Sequence, residues 1–223
     1  MKAYFYAVHT LSEENYLKAI FNLAATGVKI TPTAIAEALN NNPASVVDMI
    51  RKLADKELIA YDKRSGVSLT AKGQKTGAMV VRKHRLWEVF LKEKLQYSWD
   101  EVHDIAEQLE HIQHPTLADR LDEFLGFPTY DPHGDPIPQA NGKMAKAYRT
   151  TLADMEDGTS CQVFAVKDTS VAFLQYLKKL GIDIGTKINL VEKISFDDSM
   201  VILIGKSAEV TVSRKFAENV LVG

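Results

Sequence analysis

The chain has 223 residues, 46% of them hydrophobic and 25% charged, as in a globular protein with one large domain or two to three small ones. No run approaches the roughly 18 apolar residues of a membrane span, and the N-terminus lacks a signal-peptide pattern. We therefore expect a cytoplasmic protein without membrane contact. The single cysteine, Cys161, excludes an internal disulfide and cannot build a thiolate metal site by itself, so we expect a buried thiol.

The net charge of −2 hides a strong asymmetry along the chain. Residues 51–94 carry twelve Lys and Arg against five Asp and Glu, a net of +7. Residues 95–138 carry one Arg against ten Asp and Glu, a net of −9. This division favours a protein that binds a polyanion with one part and a cation with the other. Two ordinary solvated faces are the alternative.

Three helices followed by two short strands are predicted for the first 70 residues. Ser12 is a candidate cap for the first helix, Thr31-Pro32 opens the second, and Pro43 starts a third that runs to about Lys56. The strands, 58–61 and 67–69, flank a hairpin tip at 62–66. This order is typical of a winged helix-turn-helix.

A winged helix places its third helix in the major groove of double-stranded DNA. The residues on the exposed face of that helix are Ala44, Ser45, Val47, Asp48, Arg51 and Lys52. Among these, Arg51 and Lys52 suit phosphate or guanine contacts, and Val47 suits a thymine methyl group. Asp48 would repel the backbone unless it accepts a hydrogen bond from cytosine. Lys63 and Arg64 at the hairpin tip suit a neighbouring phosphate. A solvated surface is the alternative for each residue alone.

The rest of the chain is predicted to be helical first and then mainly β. Thr70 caps a long helix over 71–94, an acidic helix follows, and a further helix covers about 116–125. Four prolines and one glycine in residues 128–138 indicate a linker. Beyond a helix-like stretch around 144–148, strands at 162–166, 187–194, 200–204 and 208–212 and a helix at 171–180 predict a small barrel. The predicted fold class is mainly α with small β.

No Lys or Arg occurs between Lys94 and Arg120, although the interval holds six Asp and Glu, with Asp119 included, and three histidines. At about 100° per residue, one helical face carries five potential ligands. They are His103, Glu107, Glu110, His111 and His114. The pattern predicts a divalent metal.

His84 and Glu88 lie four residues apart on the long helix and therefore share a face. Oxygen and imidazole donors favour Mn²⁺, Fe²⁺, Co²⁺ or Zn²⁺, and several carboxylates favour Mn²⁺ or Fe²⁺. We expect Mn²⁺ or Fe²⁺ as the ligand, with Zn²⁺ or Co²⁺ possible in vitro.

These segments together resemble the diphtheria-toxin-repressor family of metal-dependent transcriptional repressors over nearly the whole chain. The matching motifs are Glu14-Asn15-Tyr16-Leu17, Arg82-Lys83-His84-Arg85-Leu86-Trp87-Glu88, Val102-His103-Asp104 running on to Glu107-Gln108-Leu109-Glu110-His111, and His133-Gly134-Asp135-Pro136-Ile137-Pro138.

The resemblance implies a homodimer that binds a DNA operator and controls metal-homeostasis genes. It also implies three domains, which are a winged-helix domain (1–72), a helical metal-binding and dimerisation domain (73–140) and an SH3-like, FeoA-like barrel (150–223). By the same resemblance, Glu107, Glu110 and His111 with Asn15 form a primary ion site, and His84, Glu88 and His103 form an ancillary one. Asp168 is the nearest candidate for a barrel ligand.

Three positions depart from parts of the family. Glu107 stands where the iron-responsive branch has cysteine, as in the manganese-responsive branch. Asn15 stands where methionine or aspartate is usual, and its amide oxygen is an uncharged donor. Lys18 replaces a residue that is acidic in some two-manganese relatives, which disfavours that arrangement.

Two other functions compete with metal-dependent repression. A di-metal carboxylate enzyme usually needs two Glu-x-x-His pairs, and none of the six histidines has glutamate three residues before it. We therefore expect no enzyme. The second alternative is a winged-helix regulator with a purely structural metal, in which the C-terminal barrel reads a small-molecule or protein signal.

Overall fold

The computed structural model describes residues 9–205 and 209–223. The chain divides into two compact units. The first comprises 9–84, 107–124 and 138–143, and the second comprises 85–106, 125–137, 144–205 and 209–223.

The amino-terminal part of the first unit is the predicted winged helix. Its elements are α1 (Leu11–Ala25), α2 (Pro32–Ala38), α3 (Pro43–Asp55), β1 (Ile59–Asp62) and β2 (Gly66–Leu69). The two strands pair in antiparallel register, and Ile30 adds a bridge to Val67. Gly66 has φ +87°, and a Cβ there would lie 2.3 Å from the Ile30 carbonyl oxygen, so this turn requires glycine.

Helix α1 is capped by Thr10, so the predicted cap at Ser12 is wrong. The Thr10 hydroxyl oxygen accepts the Glu13 backbone N–H at 3.3 Å, and a Glu13 carboxylate oxygen accepts the Thr10 backbone N–H at 3.0 Å. This reciprocal pair is a capping box, which needs Glu or Gln three residues after the cap. Ser12 has Asn15 at that distance and cannot form one.

One apolar core joins the three helices to the ribbon. Its buried residues are Tyr16, Leu17, Ile20, Ile30, Ile35, Ala36, Val46, Ile50, Leu53, Leu58, Ile59 and Val67. The helical spacing of these residues fixes which faces of α1 and α3 point outward. The opposite face of α3 is therefore left to solvent.

Three further helices follow, α4 (Ala71–Leu95), α5 (Val102–Leu109) and α6 (Leu117–Phe124). The Thr70 hydroxyl oxygen accepts the Gly73 backbone N–H at 3.1 Å and caps α4 as predicted. Helix α5 ends at Leu109, so the predicted continuous face as far as His114 is wrong. His114 is exposed and lies in the connection to α6.

Residues 128–138 contain no helix or strand, but they are not a solvated linker. Asp131, His133 and Ile137 are buried within the second unit. One Asp131 carboxylate oxygen accepts the backbone N–H groups of His133 and Asp135, at 2.8 and 3.0 Å. This turn holds the segment in one conformation and points two titratable side chains inward.

The carboxy-terminal part of the second unit is a five-stranded antiparallel sheet with order β6-β5-β4-β3-β7. Its elements are a 3₁₀ turn (Leu152–Asp154), β3 (Ser160–Val166), α7 (Val171–Leu180), β4 (Lys187–Lys193), β5 (Met200–Ile204), β6 (Glu209–Val212), α8 (Arg214–Asn219) and β7 (Val220–Val222).

Several sequence predictions for this part need correction. No helix forms over 144–148, and the 3₁₀ turn, α8 and β7 were not predicted. Residue Ala208 of the predicted fourth strand lies outside the described residues. Cys161 is a free, buried thiol, as expected.

None of the described helices combines the length and apolar character that a membrane-spanning helix needs.

Ion pairs between buried Glu13 and two partly exposed lysines connect α1 to α3 and can be tested by mutation. One Glu13 carboxylate oxygen lies 2.6 Å from Lys56 Nζ and 3.1 Å from Lys52 Nζ. Burial raises the pKa of Glu13, but hydrogen bonds from Lys56, the Thr10 backbone and Lys52 outweigh it and lower the pKa to about 2.

We expect Glu13→Gln to lower the free energy of unfolding at pH 7 by about 2 kcal/mol, a value reduced for the half-exposed lysines. Because the folded-state pKa lies below the unfolded-state value, this contribution is present above about pH 4.5 and declines as the pH falls toward 2. Urea denaturation of metal-free protein between pH 7 and pH 3 measures it, with Glu37→Gln on exposed α2 as the control. A pH-independent difference from wild type would contradict the assignment.

Candidate metal centre and DNA-binding surface

The first unit brings together one histidine and two carboxylates that can hold a metal ion. His84 on α4, Glu107 on α5 and Glu110 just after α5 each place a ligand atom within 4.8 Å of the others. His84 Nδ1 lies 2.6 Å from one Glu110 oxygen and 3.9 Å from one Glu107 oxygen. The structure thus places His84 beside the two glutamates that the resemblance assigned to the primary site. We call Asn15, Lys18, His84, Glu107, Glu110 and His111 the first cluster.

A lysine from α1 already enters the first cluster. Lys18 Nζ donates to a Glu107 oxygen and, at 2.9 Å, to Glu110 Oε2. The Glu110 side chain is fully buried, and the Lys18 side chain is 13% exposed. Burial raises the pKa of Glu110, but His84 and Lys18 outweigh it and lower the pKa below its usual range. Glu110 is therefore a carboxylate that depends on nearby positive or hydrogen-bonding partners.

Two buried oxygens of the first cluster lack a hydrogen-bond donor among the described atoms. They are Asn15 Oδ1 and Glu110 Oε1. An unpartnered buried acceptor costs about 1–3 kcal/mol, so such atoms are rarely left without a partner. Both are hard oxygen donors, and the neighbouring His84 supplies an imidazole nitrogen. This donor set fits a divalent ion such as Mn²⁺ or Fe²⁺.

Glu14, which was not a predicted site residue, lies at the edge of the same cluster. One of its oxygens is 2.7 Å from His111 Nδ1, and the other accepts from Gln113 Nε2 at 2.7 Å. Lys83 Nζ lies 3.8 Å from Glu14, and burial lowers the pKa of this lysine. His111 Nε2 is 3.6 Å from Glu110 Oε1, so His111 connects Glu14 to the first cluster.

The second unit contains another buried group able to bind a metal, formed by Glu88, Asp131 and His133. We call these three residues the second cluster. His133 Nε2 lies 2.9 Å from the Trp99 carbonyl oxygen and can donate to it. Its Nδ1 lies 3.6 Å from Glu88 Oε2. A histidine whose second nitrogen donates to a carbonyl is oriented as metal-binding histidines usually are.

The second cluster also has unbalanced charge. Burial, with the carboxylates of Glu88 and Asp135, raises the pKa of Asp131 to about 7. Arg85 Nε lies 3.4 Å from Asp131 and opposes this shift. Burial lowers the pKa of His133, but Glu88 outweighs it and the net shift is upward. Closely spaced carboxylates and an imidazole in such a setting favour an added cation.

His103 and Asp168 are the remaining predicted ligands. His103 Nδ1 lies 3.2 Å from Glu88 Oε1, and its side chain is partly exposed. Asp168 accepts the Ser170 backbone N–H at 2.9 Å ahead of α7. No metal-binding group found among residues 9–205 and 209–223 includes Asp168.

The predicted DNA-binding residues form one outward surface. On α3 the exposed ones are Ala44, Ser45, Asp48, Arg51 and Lys52, with Val47 partly buried. Arg51 Nη1 lies 3.4 Å from Asp48 Oδ1, which places a guanidinium over the carboxylate that would otherwise repel DNA. Lys52 forms an ion pair with Glu13 on α1.

The hairpin tip is a tight, exposed turn. One Asp62 oxygen accepts the backbone N–H groups of Arg64 and Ser65, both at 2.9 Å. Lys63 and Arg64 are exposed on this turn. Because the backbone of the tip is fixed, both cations are presented on a firm support, as a wing requires.

A winged helix joined to helices with a histidine–carboxylate cluster defines a DNA-binding regulator that binds a metal ion. Family models match successive parts of the chain. The "Iron dependent repressor, N-terminal DNA binding domain" covers residues 9–67, the "Iron dependent repressor, metal binding and dimerisation domain" covers 70–139, and the "FeoA domain" covers 150–223.

Individual proteins agree with these models. The chain is 27% identical over 221 residues to the iron-dependent repressor IdeR of Mycobacterium leprae, covering 94% of this chain and 95% of IdeR. It is 35% identical over 118 residues to the HTH-type transcriptional regulator MntR of Oceanobacillus iheyensis, covering 53% of this chain and 80% of MntR.

Solved structures show the same likeness. A "manganese-dependent transcriptional repressor complex with manganese" aligns with TM-score 0.86 and 33% identity over 94% of this chain and 98% of its own. The manganese regulator SloR aligns with TM-score 0.79 and 34% identity, over 95% of this chain and 97% of SloR. The chain belongs to the diphtheria-toxin-repressor family of metal-dependent transcriptional repressors.

Proposed function

We propose that this chain binds its operator as a homodimer when Mn²⁺ or Fe²⁺ occupies the first cluster. The ligands would be Asn15, His84, Glu107, Glu110 and His111. The observation that carries this proposal is the pair of buried acceptors Asn15 Oδ1 and Glu110 Oε1. Neither oxygen has a hydrogen-bond donor in the described part of the chain, and a histidine and a second carboxylate lie beside Glu110. The ion would supply two positive charges beside the carboxylates of Glu107 and Glu110.

The residues on either side of the first cluster connect it to the DNA-binding surface. Glu14 on α1 binds His111 and Gln113 just beyond α5. Glu13, the adjacent residue, binds Lys52 and Lys56 at the end of α3. Helix α1 therefore has direct ionic contacts with both the metal-binding segment and the recognition helix. Fixing α1 against Glu110 and His111 would also fix the position of α3.

A fixed recognition helix matters because the protein is proposed to act as a dimer. The two recognition helices of a dimer reach successive major grooves only when they lie about 34 Å apart, or a multiple of that. An ion that reduces the freedom of α1 would raise the population of dimers with this spacing. By linkage, DNA and metal then raise each other's affinity by the same factor.

Operator affinity with and without Mn²⁺ tests the proposal. We expect Mn²⁺ to raise the affinity of the wild-type chain by about 5–150-fold, the usual range of coupling. Glu110→Gln should remove most of this rise because it removes the buried charge that the ion neutralises. The matched control is Glu123→Gln, an exposed carboxylate on α6. Fluorescence anisotropy with labelled operator DNA measures the effect.

Two outcomes would contradict the proposal in different ways. Equal wild-type affinity in chelator and in Mn²⁺ would exclude metal-dependent repression. If Mn²⁺ still raised the melting temperature in that case, the ion would be structural, as in the alternative regulator that senses a signal through its C-terminal barrel. A normal response in Glu110→Gln would show that the regulatory ion binds elsewhere.

We also propose a second ion on the second cluster, with Glu88, Asp131 and His133 as ligands. The support is the burial of all three residues and the orientation of His133 by the Trp99 carbonyl group. His103, which contacts the other oxygen of Glu88, would steady that ligand or join it. The three-domain division at 1–72, 73–140 and 150–223 and the barrel ligand Asp168 also stay proposals.

His133→Ala should reduce the bound Mn²⁺ by one ion per protomer, because it removes the only imidazole nitrogen of the second cluster. Equilibrium dialysis followed by elemental analysis counts the ions. His114→Ala, which removes an exposed histidine outside both clusters, is the control and should leave the count unchanged. An unaltered count in His133→Ala would rule out this second site.

A further inference from the structure

Lys18 is a cation supplied by the chain itself, and it lies inside the first cluster. Its ammonium group donates to Glu107 and, at 2.9 Å, to Glu110. Lys18 stands three residues after Asn15 on α1, so both side chains project from the same face of the helix. The lysine therefore lies on the same face of α1 as the proposed ion ligand Asn15.

The side-chain oxygens of Glu110 and Asn15 fall into two sets. Glu110 Oε2 is already shared by Lys18 Nζ and His84 Nδ1, at 2.9 and 2.6 Å. Among the described residues, no hydrogen-bond donor reaches Glu110 Oε1 or Asn15 Oδ1. One set is thus satisfied by the ammonium group, and the other is left for one further positively charged ligand.

The charges also favour a single ion. Glu14, Glu107 and Glu110 together carry three negative charges when ionised. The Lys18 ammonium and one divalent ion together carry three positive charges. Lys83, which lies 3.8 Å from Glu14, adds a further positive charge. A second divalent ion would leave a large excess of positive charge among partly buried groups, which is costly in a low-dielectric setting.

We propose that Lys18 is a tethered cation that permanently fills one cation position of the first cluster. The site then takes one divalent ion, and the ammonium group stabilises the carboxylates in the metal-free chain. Lys18 also repels the incoming ion, so it sets the metal concentration at which the site fills. This inference rests on the proposed function, because it assumes that the first cluster binds the regulatory ion.

The count of bound Mn²⁺ tests the inference without DNA. Lys18→Glu replaces the tethered cation with a carboxylate, so we expect the count to rise by one ion per protomer over wild type. Lys83→Glu is the matched control, since it adds a carboxylate beside the same cluster at a lysine that contacts only its edge. Native mass spectrometry at increasing Mn²⁺ concentration gives the counts. No gain in Lys18→Glu, or an equal gain in both variants, would overturn the proposal.

Lys18→Met tests the same inference in a variant that adds no ligand. Removing the ammonium group should leave the ion count unchanged, lower the melting temperature of the metal-free protein, and tighten Mn²⁺ binding about tenfold or more by removing repulsion. Weaker Mn²⁺ binding, or an unchanged metal-free melting temperature, would overturn it.

These results are distinguishable from failure of the proposed function. If the wild-type chain binds Mn²⁺ but its operator affinity does not change, the proposed function fails while the ion counts still decide the role of Lys18. If operator affinity responds to Mn²⁺ and the Lys18 variants behave as wild type, only the present inference fails.

Discussion

The buried carboxylates of the helical region impose the main physical constraint on this protein. Glu13, Glu14, Glu88, Glu110 and Asp131 are all buried, and an ionised carboxylate is costly to bury without a compensating partner. Glu13 has two lysines and a capping box. In the first unit, Glu14 and Glu110 both lie near His111. In the second unit, Glu88 and Asp131 both lie near His133. Folding therefore places carboxylates close together at buried positions, where a divalent ion can compensate their charge.

The same constraint connects metal binding to DNA recognition. Two adjacent carboxylates on helix α1 contact different parts of the first unit. Glu13 forms an ion pair with Lys52 on α3, and Glu14 contacts His111 in the segment after α5. Neutral contacts could pack these helices equally well, but they would not respond to an ion. Because the contacts are ionic, a change of charge at Glu110 or His111 alters the balance of forces on α1. A metal sensor needs such a dependence.

Local sequence signals predicted much of this arrangement. The spacing of Pro43, Val46, Ile50 and Leu53 gave the recognition helix, and the absence of Lys and Arg after Lys94 indicated the metal-binding segment. The predictions that were wrong or missing concern contacts between residues distant in sequence and the point at which a helix ends. Asp131 and His133 lie in a proline-rich stretch that has the composition of a linker, and only folding buries them beside Glu88. Helical periodicity placed His114 on the ligand face, but helix α5 ends five residues earlier. The position of Lys18 in the sequence drew attention to this residue, but the sequence did not predict its hydrogen bonds to Glu107 and Glu110.

The central claim is that metal occupancy reaches the recognition helix through α1, and Glu14 is its most direct point of test. The decisive measurement is the operator affinity of Glu14→Ala at saturating Mn²⁺ relative to its affinity in chelator, with Glu37→Ala on α2 as the control. The account predicts that Glu14→Ala still binds Mn²⁺ but shows little or no rise in operator affinity, because α1 has lost its contact with His111. A rise equal to that of the wild-type chain would contradict it.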